Sequence, residues 1–350
     1  MKDQSHFTII NTSDRRILRE MLPLAKPISL FVEPTNRCNF RCVCCGHGNE
    51  RTRNDLKPLI NMDTELYRKI IRELSSWEGP PLRLLRLAVL GEPLVHPDFL
   101  EMVRLANTAG IADKVDTFSN GSLLTEAISI GLVENGLDSI RFSIYAVDPD
   151  RHRKVTQTQV DVSGIRANIR RLREIRDRKG SRTPRIVVKM FDTYGEENDL
   201  FRRQYEGIAD EIDFENVNDA TRYNGTDLVG AFYGDAELAK RIRSSFRKHL
   251  HRHAVCPRPF MALVVCSNGS VVMCTHDYPR ATMIGNVKDS TLEEIWNSRA
   301  LFEFRKMLLL GEKRKNILCR NCVWYKLFPE EDNVDGLPVE LFIPKAGPKA

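Results

Sequence analysis

The chain has 350 residues, of which 42% are hydrophobic and 29% are charged, and its formal net charge is +6 at pH 7. This length allows one large domain and a smaller one, and no apolar run is long enough to span a membrane. Residues 1–19 are polar and charged, so a secretory signal is not predicted. The charge is compatible with an anionic substrate, but it does not favour nucleic acid as a partner.

Short apolar runs alternate with stretches of helical periodicity through the first two thirds of the chain. Strands are predicted at 28–32, 82–90, 114–118, 139–145, 185–190 and 211–217. Helices are predicted at 63–77, 97–109, 124–135, 163–178 and 198–209, a polar surface segment at 51–59 and a charged loop at 148–154. Helix 163–178 is basic on one side, which indicates a solvated face. The alternation predicts an α/β fold with a parallel sheet and right-handed crossovers, whose chemistry lies where the strands end.

A different pattern follows in the last hundred residues. Segments 263–266 and 271–274 flank Ser-Asn-Gly-Ser, which is typical of a β-hairpin, and two helices are predicted at 291–297 and 301–309. We therefore expect an N-terminal extension, a large core, a connecting helical segment, a small C-terminal domain and a tail. Their predicted bounds are 1–26, 27–220, 221–255, 256–325 and 326–350.

The nine cysteines are odd in number and clustered at short spacings. Without a secretory signal, this usage indicates a reducing cytoplasm and metal ligation rather than disulfides. Cys38, Cys42 and Cys45 follow the first predicted strand. Their thiolates can hold three irons of a [4Fe–4S] cluster and leave the fourth iron open to a chelating ligand. A zinc knuckle is the alternative that this spacing leaves open.

The stretch from Pro27 to Gly48, including Thr-Asn-Arg-Cys-Asn at 35–39, resembles the radical S-adenosylmethionine (SAM) superfamily. The resemblance covers roughly 27–217 and implies a partial (β/α)6 barrel whose cluster binds SAM. It also implies reductive cleavage of SAM to methionine and a 5′-deoxyadenosyl radical. A reducing partner such as flavodoxin or ferredoxin would supply the electron.

Further residues match SAM-binding positions of the superfamily. Gly91, Glu92 and Pro93 resemble its Gly-Gly-Glu-Pro motif, with Leu90 where the first glycine is usual, and Glu92 or nearby carbonyls could bind the SAM ammonium group. Asn120 resembles the turn residue that follows the third strand, and Ser143 matches a ribose-contacting position. Ordinary turn and barrel roles are the alternatives for these residues. Cys44 matches another cofactor-binding position, where the family usually has an aromatic that seats adenine, so a backbone contact with SAM is expected and side-chain packing on adenine would be weaker.

The remaining cysteines, with Gly269 and Cys-x-x-Cys at 319–322, resemble the twitch domain, a short form of the SPASM domain. The resemblance implies an auxiliary [4Fe–4S] cluster on four ligands: Cys256, Cys274, Cys319 and Cys322. A structural zinc site suits four cysteines equally well. Cys266 is left over, either as a core residue or, in an epimerase, as a hydrogen donor.

These resemblances predict an enzyme that oxidises an alcohol of a sugar, aminocyclitol or nucleotide-like metabolite, with the auxiliary cluster accepting an electron. Epimerisation, or elimination by a dehydratase or decarboxylase, on a sugar-like substrate is the alternative. A peptide-modifying SPASM maturase is a further one, disfavoured by the few residues before Cys38 and by cysteines enough for only one auxiliary cluster. A non-enzymatic module with two zinc ions is the remaining alternative.

Overall fold

A computed structural model describes residues 16–217, 227–248 and 250–344. Its strands are β1 (Ser29–Val32), β2 (Leu84–Arg86), β3 (Val115–Ser119), β4 (Ser139–Ser143), β5 (Arg185–Phe191), β6 (Glu211–Glu215), β7 (Ala262–Val265), β8 (Ser270–Val272) and β9 (Met283–Asn286). Its α-helices are α1 (Leu18–Met21), α2 (Glu50–Asp55), α3 (Thr64–Ser76), α4 (Phe99–Ala109), α5 (Glu126–Glu134), α6 (Pro149–Thr156), α7 (Val162–Arg178), α8 (Glu196–Tyr205), α9 (Leu228–Tyr233), α10 (Ala236–Lys248), α11 (Arg258–Met261), α12 (Leu292–Trp296) and α13 (Arg299–Leu309).

All the described strands belong to one sheet, in the order β6-β5-β4-β3-β2-β1-β7-β8-β9. Strands β1 to β6 are parallel and alternate with helices, which confirms the predicted α/β architecture of a partial barrel. Strands β7 to β9 are antiparallel to one another and include the predicted hairpin. Strand β7 pairs in parallel with β1, so the hairpin continues the barrel sheet beside its first strand.

The predicted charged loop at 148–154 is wrong, because helix α6 occupies most of it, and the polar surface segment predicted at 51–59 also begins within a helix, α2. Asn49 accepts a hydrogen bond from the Thr52 N–H and caps α2. Asp148 accepts one from the Arg151 N–H and caps α6, which has Pro149 in its first turn. A side-chain cap and an early proline stabilise a helix start even where apolar periodicity is weak. Strand β2 is also shorter than the predicted 82–90.

The two faces of the sheet differ in chemistry. Alternate residues such as Leu30, Leu85 and Ile140 are fully buried and belong to the main hydrophobic core. The other face carries charged side chains from β2 to β6, among them Arg86 on Asp116, with a shortest distance of 2.6 Å, and Lys189 on Glu215 at 2.7 Å. Because strand residues alternate between faces, this second face is the concave inner wall of the barrel. No helix among the described residues combines the length and apolar content needed to cross a bilayer.

Candidate active site

The first cysteine loop begins where β1 ends and is held by backbone hydrogen bonds. The Arg41 N–H donates to the Thr156 carbonyl at 3.0 Å, and the Val43 N–H donates to the Val155 carbonyl at 2.8 Å. The lead-in is fixed by Asn36, whose side-chain oxygen accepts from the Ile60 N–H at 2.7 Å. A rigid strand and these bonds on each side position the three cysteines of the loop.

The thiols of this loop suit an iron–sulfur cluster. Burial raises the pKa of the Cys38 thiol to about 12, and it raises the pKa of Cys42 and of Cys45, whose charges also repel one another. Metal ligation removes that penalty, because a coordinated thiol is deprotonated by the cation. Among the described residues, no three cysteine sulfurs lie within 4.8 Å of one another. A single tetrahedral zinc ion would need sulfurs about 3.8 Å apart, whereas a cluster spaces them more widely.

Gly91 lies against the cysteine lead-in. A Cβ atom at this position would lie 2.1 Å from the Thr35 carbonyl oxygen and 2.6 Å from that of Arg37, and both atoms are backbone. The next residue, Glu92, donates its N–H to the Arg37 carbonyl at 2.8 Å. The absence of a side chain at Gly91 therefore allows the motif after β2 to pack directly on the cysteine loop.

The Glu92 carboxylate is already engaged by the protein. It accepts hydrogen bonds from the Leu94 N–H, the Ser119 hydroxyl and the Asn120 N–H at 3.1, 2.9 and 2.7 Å. Burial raises the pKa of Glu92 to about 7. These bonds join the ends of β2 and β3. Because the Glu92 carboxylate is occupied by these bonds, neighbouring backbone carbonyls are the favoured acceptors for a SAM ammonium group. The binding of that group here stays a prediction.

Asn120 and Ser143 lie at the ends of β3 and β4. The Asn120 amide donates to the Asn39 side chain at 2.9 Å and accepts from the Ser122 N–H at 2.9 Å, so it braces the turn against the cysteine loop. Ser143 is half-buried on the inner face and interacts with the Tyr145 hydroxyl. Both residues border the first cysteine loop, and their SAM contacts remain predictions.

Cys44 is surrounded by aromatic rings that come from elsewhere in the chain. Its thiol is buried beside Tyr145 and Lys189, and burial raises its pKa to about 12. Tyr145 stacks on Phe191, with ring centroids 5.3 Å apart. Aromatic surface is therefore present beside the position where the superfamily usually has an aromatic side chain. The sequence carried no signal for this, because Tyr145 follows β4 whereas Phe191 is the last residue of β5.

The second cysteine set is assembled from three segments. Cys256 precedes α11, Cys274 follows β8, and Cys319 and Cys322 follow α13. The charges of all four influence one another, and burial raises the pKa of Cys256 to about 11 and of Cys274 to about 12. Backbone N–H groups point at two of the sulfurs, from His276 to Cys274 at 3.4 Å and from Trp324 to Cys322 at 3.3 Å. Four partly buried cysteines, two of them with N–H donors to sulfur, suit a fully ligated cluster.

Tyr278 connects the two cysteine sets. Its ring lies against Gly46, where an added Cβ would be 2.1 Å from the ring atom Cε1. The phenol is buried close to Cys45 of the first loop and to Cys274 of the second set, and burial raises its pKa. The segment after β8 is therefore packed directly on the loop after β1. Nothing in the local sequence around Tyr278 indicated this contact.

Cys266 lies on the inner face beside a buried carboxylate. Glu33 follows β1 and accepts hydrogen bonds from the Ser267 N–H and hydroxyl, both at 3.0 Å, through one oxygen. Its other oxygen, Oε1, has no hydrogen-bond partner among the described residues, although Glu33 is only 1% exposed. Arg280 is the nearby cation for both Cys266 and Glu33. A signal for Glu33 was present in the sequence: it is an acidic residue directly after an apolar strand. Because side chains alternate along a strand, it shares a face with Phe31.

Comparison with known families matches two separate parts of the chain, one around each cysteine set. Residues 32–197 match the model of the radical SAM superfamily, and residues 256–323 match that of SPASM, an iron–sulfur cluster-binding domain. These matches account for both cysteine sets: a SAM-binding [4Fe–4S] cluster in the barrel and an auxiliary iron–sulfur cluster beyond it.

Two curated relatives align with most of the chain. A cofactor-modifying protein of tungsten-containing aldehyde ferredoxin oxidoreductase from Pyrococcus furiosus is 27% identical over 79% of this chain and 82% of its own. The S-adenosyl-L-methionine-dependent 2-deoxy-scyllo-inosamine dehydrogenase of Niallia circulans is 22% identical over 83% of this chain and 90% of its own. The crystal structure of BtrN in complex with AdoMet and 2-DOIA has the same fold, with a TM-score of 0.53 and 19% identity over 85% of this chain and 93% of that one.

Proposed function

Since the chain belongs to the radical SAM superfamily and carries a C-terminal SPASM iron–sulfur domain, we propose that this enzyme oxidises an alcohol to a carbonyl. The proposed substrate is a sugar, aminocyclitol or nucleotide-like small molecule. The observation that carries the proposal is the second set of four partly buried cysteines, which is joined to the first cysteine loop through Tyr278. An oxidation needs an electron acceptor, and a cluster on this set would offer one.

When bound, SAM and its cluster supply a 5′-deoxyadenosyl radical that removes one hydrogen atom, and the second cluster supplies an acceptor for the electron left after the hydroxyl loses its proton. In the proposed assignment Cys38, Cys42 and Cys45 hold the first cluster. The second would be held by Cys256, Cys274, Cys319 and Cys322. The first electron would come from a small reducing protein such as flavodoxin or ferredoxin.

The inner wall of the barrel supports a polar substrate. Arg86, Arg141 and Lys189 alternate there with carboxylates, and each cation has a carboxylate partner. The Arg86 guanidinium also lies 4.1 Å from the Phe118 ring centroid, which orients its donors. A wall of paired charges presents hydrogen-bond donors and acceptors without a net field. It therefore suits a hydroxyl-rich molecule better than an apolar one.

We assign proton removal from the substrate hydroxyl to Glu33. Two other acids on the wall, Asp116 and Glu215, are held in ion pairs, whereas Glu33 Oε1 has no hydrogen-bond partner within 3.5 Å among the described residues. Burial raises the pKa of Glu33, and a base of raised pKa binds a proton more readily near neutral pH. Arg280 beside it stabilises the ionised form needed before the reaction.

One of the relatives supports the reaction class. The Niallia circulans protein that aligns with 83% of this chain is a SAM-dependent dehydrogenase of 2-deoxy-scyllo-inosamine. That compound is an aminocyclitol, one of the proposed classes.

Epimerisation is the second candidate, and Cys266 favours it. Its thiol is buried on the inner face next to Arg280, where it could return a hydrogen atom to a substrate radical. The two reactions differ in the atoms and electrons that the substrate loses and regains. Oxidation removes a hydrogen atom, a proton and an electron from the substrate, whereas epimerisation removes one hydrogen atom and restores another.

The test uses the anaerobically reconstituted enzyme with SAM, a chemical reductant and a panel of aminocyclitols, including 2-deoxy-scyllo-inosamine. Oxidation should give a product two mass units lighter and transfer one substrate deuterium into 5′-deoxyadenosine. Epimerisation should leave the mass unchanged in H₂O and add one deuterium in D₂O. If the true substrate gives neither a lighter product nor deuterium uptake, both candidates are excluded and elimination becomes the leading reaction.

Variants separate the two roles on the inner face. Glu33→Gln should still cleave SAM but slow product formation, and Glu33→Asp should recover part of the rate. Because only the ionised base accepts a proton, wild-type turnover should rise with pH through the raised pKa of Glu33, and Glu33→Gln should lack that rise. Cys266→Ala should leave oxidation intact. If Cys266→Ala still consumes SAM but no longer forms product, epimerisation is favoured instead.

A further inference from the structure

Two segments that flank the second cysteine set lie side by side. The first, residues 250–255, leads from α10 to Cys256, and the second, residues 323–335, follows Cys322. The His251 N–H donates to the Lys326 carbonyl at 2.8 Å. The Asp335 carboxylate accepts from the Ala254 and Val255 N–H groups, with a shortest distance of 2.8 Å. These bonds bring the ends of the SPASM region together.

Three side chains converge where these segments meet: His251, His253 and Glu330. Glu330 Oε1 lies 3.0 Å from His251 Nδ1 and 3.4 Å from His253 Nε2. One ligand atom from each of the three lies within 4.8 Å of the others. Two ligands at about 2.1 Å from one metal ion are about 3.0 Å apart in octahedral geometry and about 3.4 Å apart in tetrahedral geometry. Both separations fall within the range that these two geometries span.

His253 supplies an independent observation. Its side chain is 0% exposed, and neither ring nitrogen has a hydrogen-bond partner among the described residues. A neutral imidazole always carries one donor and one acceptor, and leaving both unpaired in the interior is costly. A cation bound at Nε2 would satisfy that nitrogen. Glu330 is 62% exposed, so an ion could reach the pair from solvent through the carboxylate.

We propose that His251, His253 and Glu330 bind a divalent first-row transition metal ion such as Zn²⁺. Two imidazole nitrogens and one carboxylate oxygen are a common ligand set for these ions, with open positions left for water. The ion would clamp the segment before Cys256 to the segment after Cys322. His249 alternates with these histidines in the sequence, but it lies outside the described residues and is not assigned to the site.

This site is separate from the proposed alcohol oxidation, because within the described residues its three side chains form no hydrogen bond or ion pair with the inner wall or the cluster thiols. The test therefore does not need the substrate. Untagged enzyme is first reconstituted with both clusters, so that the cysteines are occupied, and is then titrated anaerobically with Zn²⁺ alone. One zinc ion should bind per chain. X-ray absorption at the zinc edge should show nitrogen and oxygen neighbours without sulfur.

Variants with little structural cost make the test decisive. Glu330→Gln changes an exposed side chain and should weaken zinc binding by at least about tenfold, since even an outer-shell change at a metal site costs about 10- to 100-fold. The matched control is Glu312→Gln, an exposed glutamate that pairs with Lys315 instead. His253→Ala should weaken binding at least as much, with iron content unchanged as the check that both clusters remain.

Several outcomes would overturn the proposal. They are equal zinc affinity in wild type and Glu330→Gln, sulfur in the zinc coordination shell, or no binding to the wild-type enzyme with full clusters. If the site acts as a clamp, zinc should also slow proteolysis after residue 248 in wild type and in Glu312→Gln. It should not do so in Glu330→Gln, whose SAM cleavage should equal that of wild type.

Discussion

The two cysteine sets are built in different ways. Residues 38–45 carry the first set on a single loop, which starts at the end of β1 and is bonded to the last turn of α6. The second set draws on three segments between Cys256 and Cys322, joined only by the fold of the region. Closing a short loop costs less entropy than bringing distant segments together. The first site can thus form with the barrel, whereas the second depends on tertiary packing and on its metal.

The roles proposed for the two sets follow the same division. Three thiolates leave an open iron, which can bind SAM, whereas four thiolates close the coordination sphere. The first set lies where the strand ends of the barrel converge, as expected for the catalytic end of such a sheet. The second is positioned by the strand pair β1–β7 and by Tyr278 on Gly46. We therefore propose that SAM is cleaved at the first cysteine set and that the second set accepts an electron.

The largest effect is expected from Cys42→Ala. Removing one of three ligands should abolish reductive SAM cleavage, because the loop then has only two thiolates for the cluster. The measurement is 5′-deoxyadenosine formation under anaerobic reduction. Cys44→Ala is the matched control, since this neighbouring thiol is buried beside Tyr145 and is not assigned to the cluster. Normal cleavage by Cys42→Ala, or cluster loss in Cys44→Ala, would contradict the assignment.

Cys319→Ala and Cys322→Ala test the second region. Each should lower iron content from about eight to about four atoms per chain and stop substrate oxidation while SAM cleavage continues. If the region unfolds, both activities should fall, because metal binding and folding are coupled in small metal domains. Circular dichroism and protease sensitivity distinguish these cases, and Cys266→Ala is the control that should keep both clusters. Full product turnover by a folded one-cluster variant would leave the second cluster a structural role only.

A smaller effect is expected at the contact between the two regions. Gly46→Ala would place a Cβ atom 2.1 Å from the Tyr278 ring, and this overpacking should destabilise the enzyme by about 1–3 kcal/mol. Gly164→Ala is the control, because no atom lies within 4 Å of a Cβ there and alanine favours the helix. Thermal unfolding measures both. The loss should shrink in a Tyr278→Leu background, and equal losses in both backgrounds would mean that Tyr278 is not the obstacle.

The last effect is a pH dependence of stability beside the first site. The pKa of Glu92 is raised from 4.5 to about 7 by burial, so the folded state keeps a proton that the unfolded chain releases. Stability should therefore fall as pH rises from about 4.5 to about 7, by up to about 1.4 kcal/mol per pH unit, and level off above that range. Anaerobic urea unfolding at several pH values measures this slope. Glu92→Gln should lack it, and an equal slope in the variant would assign the effect to another group.

The cysteines proposed as ligands of the first site could be selected from the sequence because they are local, and their assignment stays a prediction. Spacing within one loop determines how three thiols can share a cluster, and it does not depend on the rest of the fold. The parallel α/β sheet was also predictable, since apolar periodicity and turn residues recur along the chain. The helix starts at Asn49 and Asp148 were readable in principle, but the polar residues around them concealed these two short helices.

Tertiary structure alone decided how the second region meets the first. The pairing of β7 with β1 joins residues more than two hundred positions apart, and no local pattern encodes it. The same pairing places Ser267 on the Glu33 carboxylate and Cys266 beside it. The contact of Tyr278 with Gly46, and the junction of His251, His253 and Glu330, also arise only when distant segments pack. Sequence determined which chemical groups are available, and long-range packing determined which of them face one another, because burial and partnership depend on contacts that the local chain does not specify.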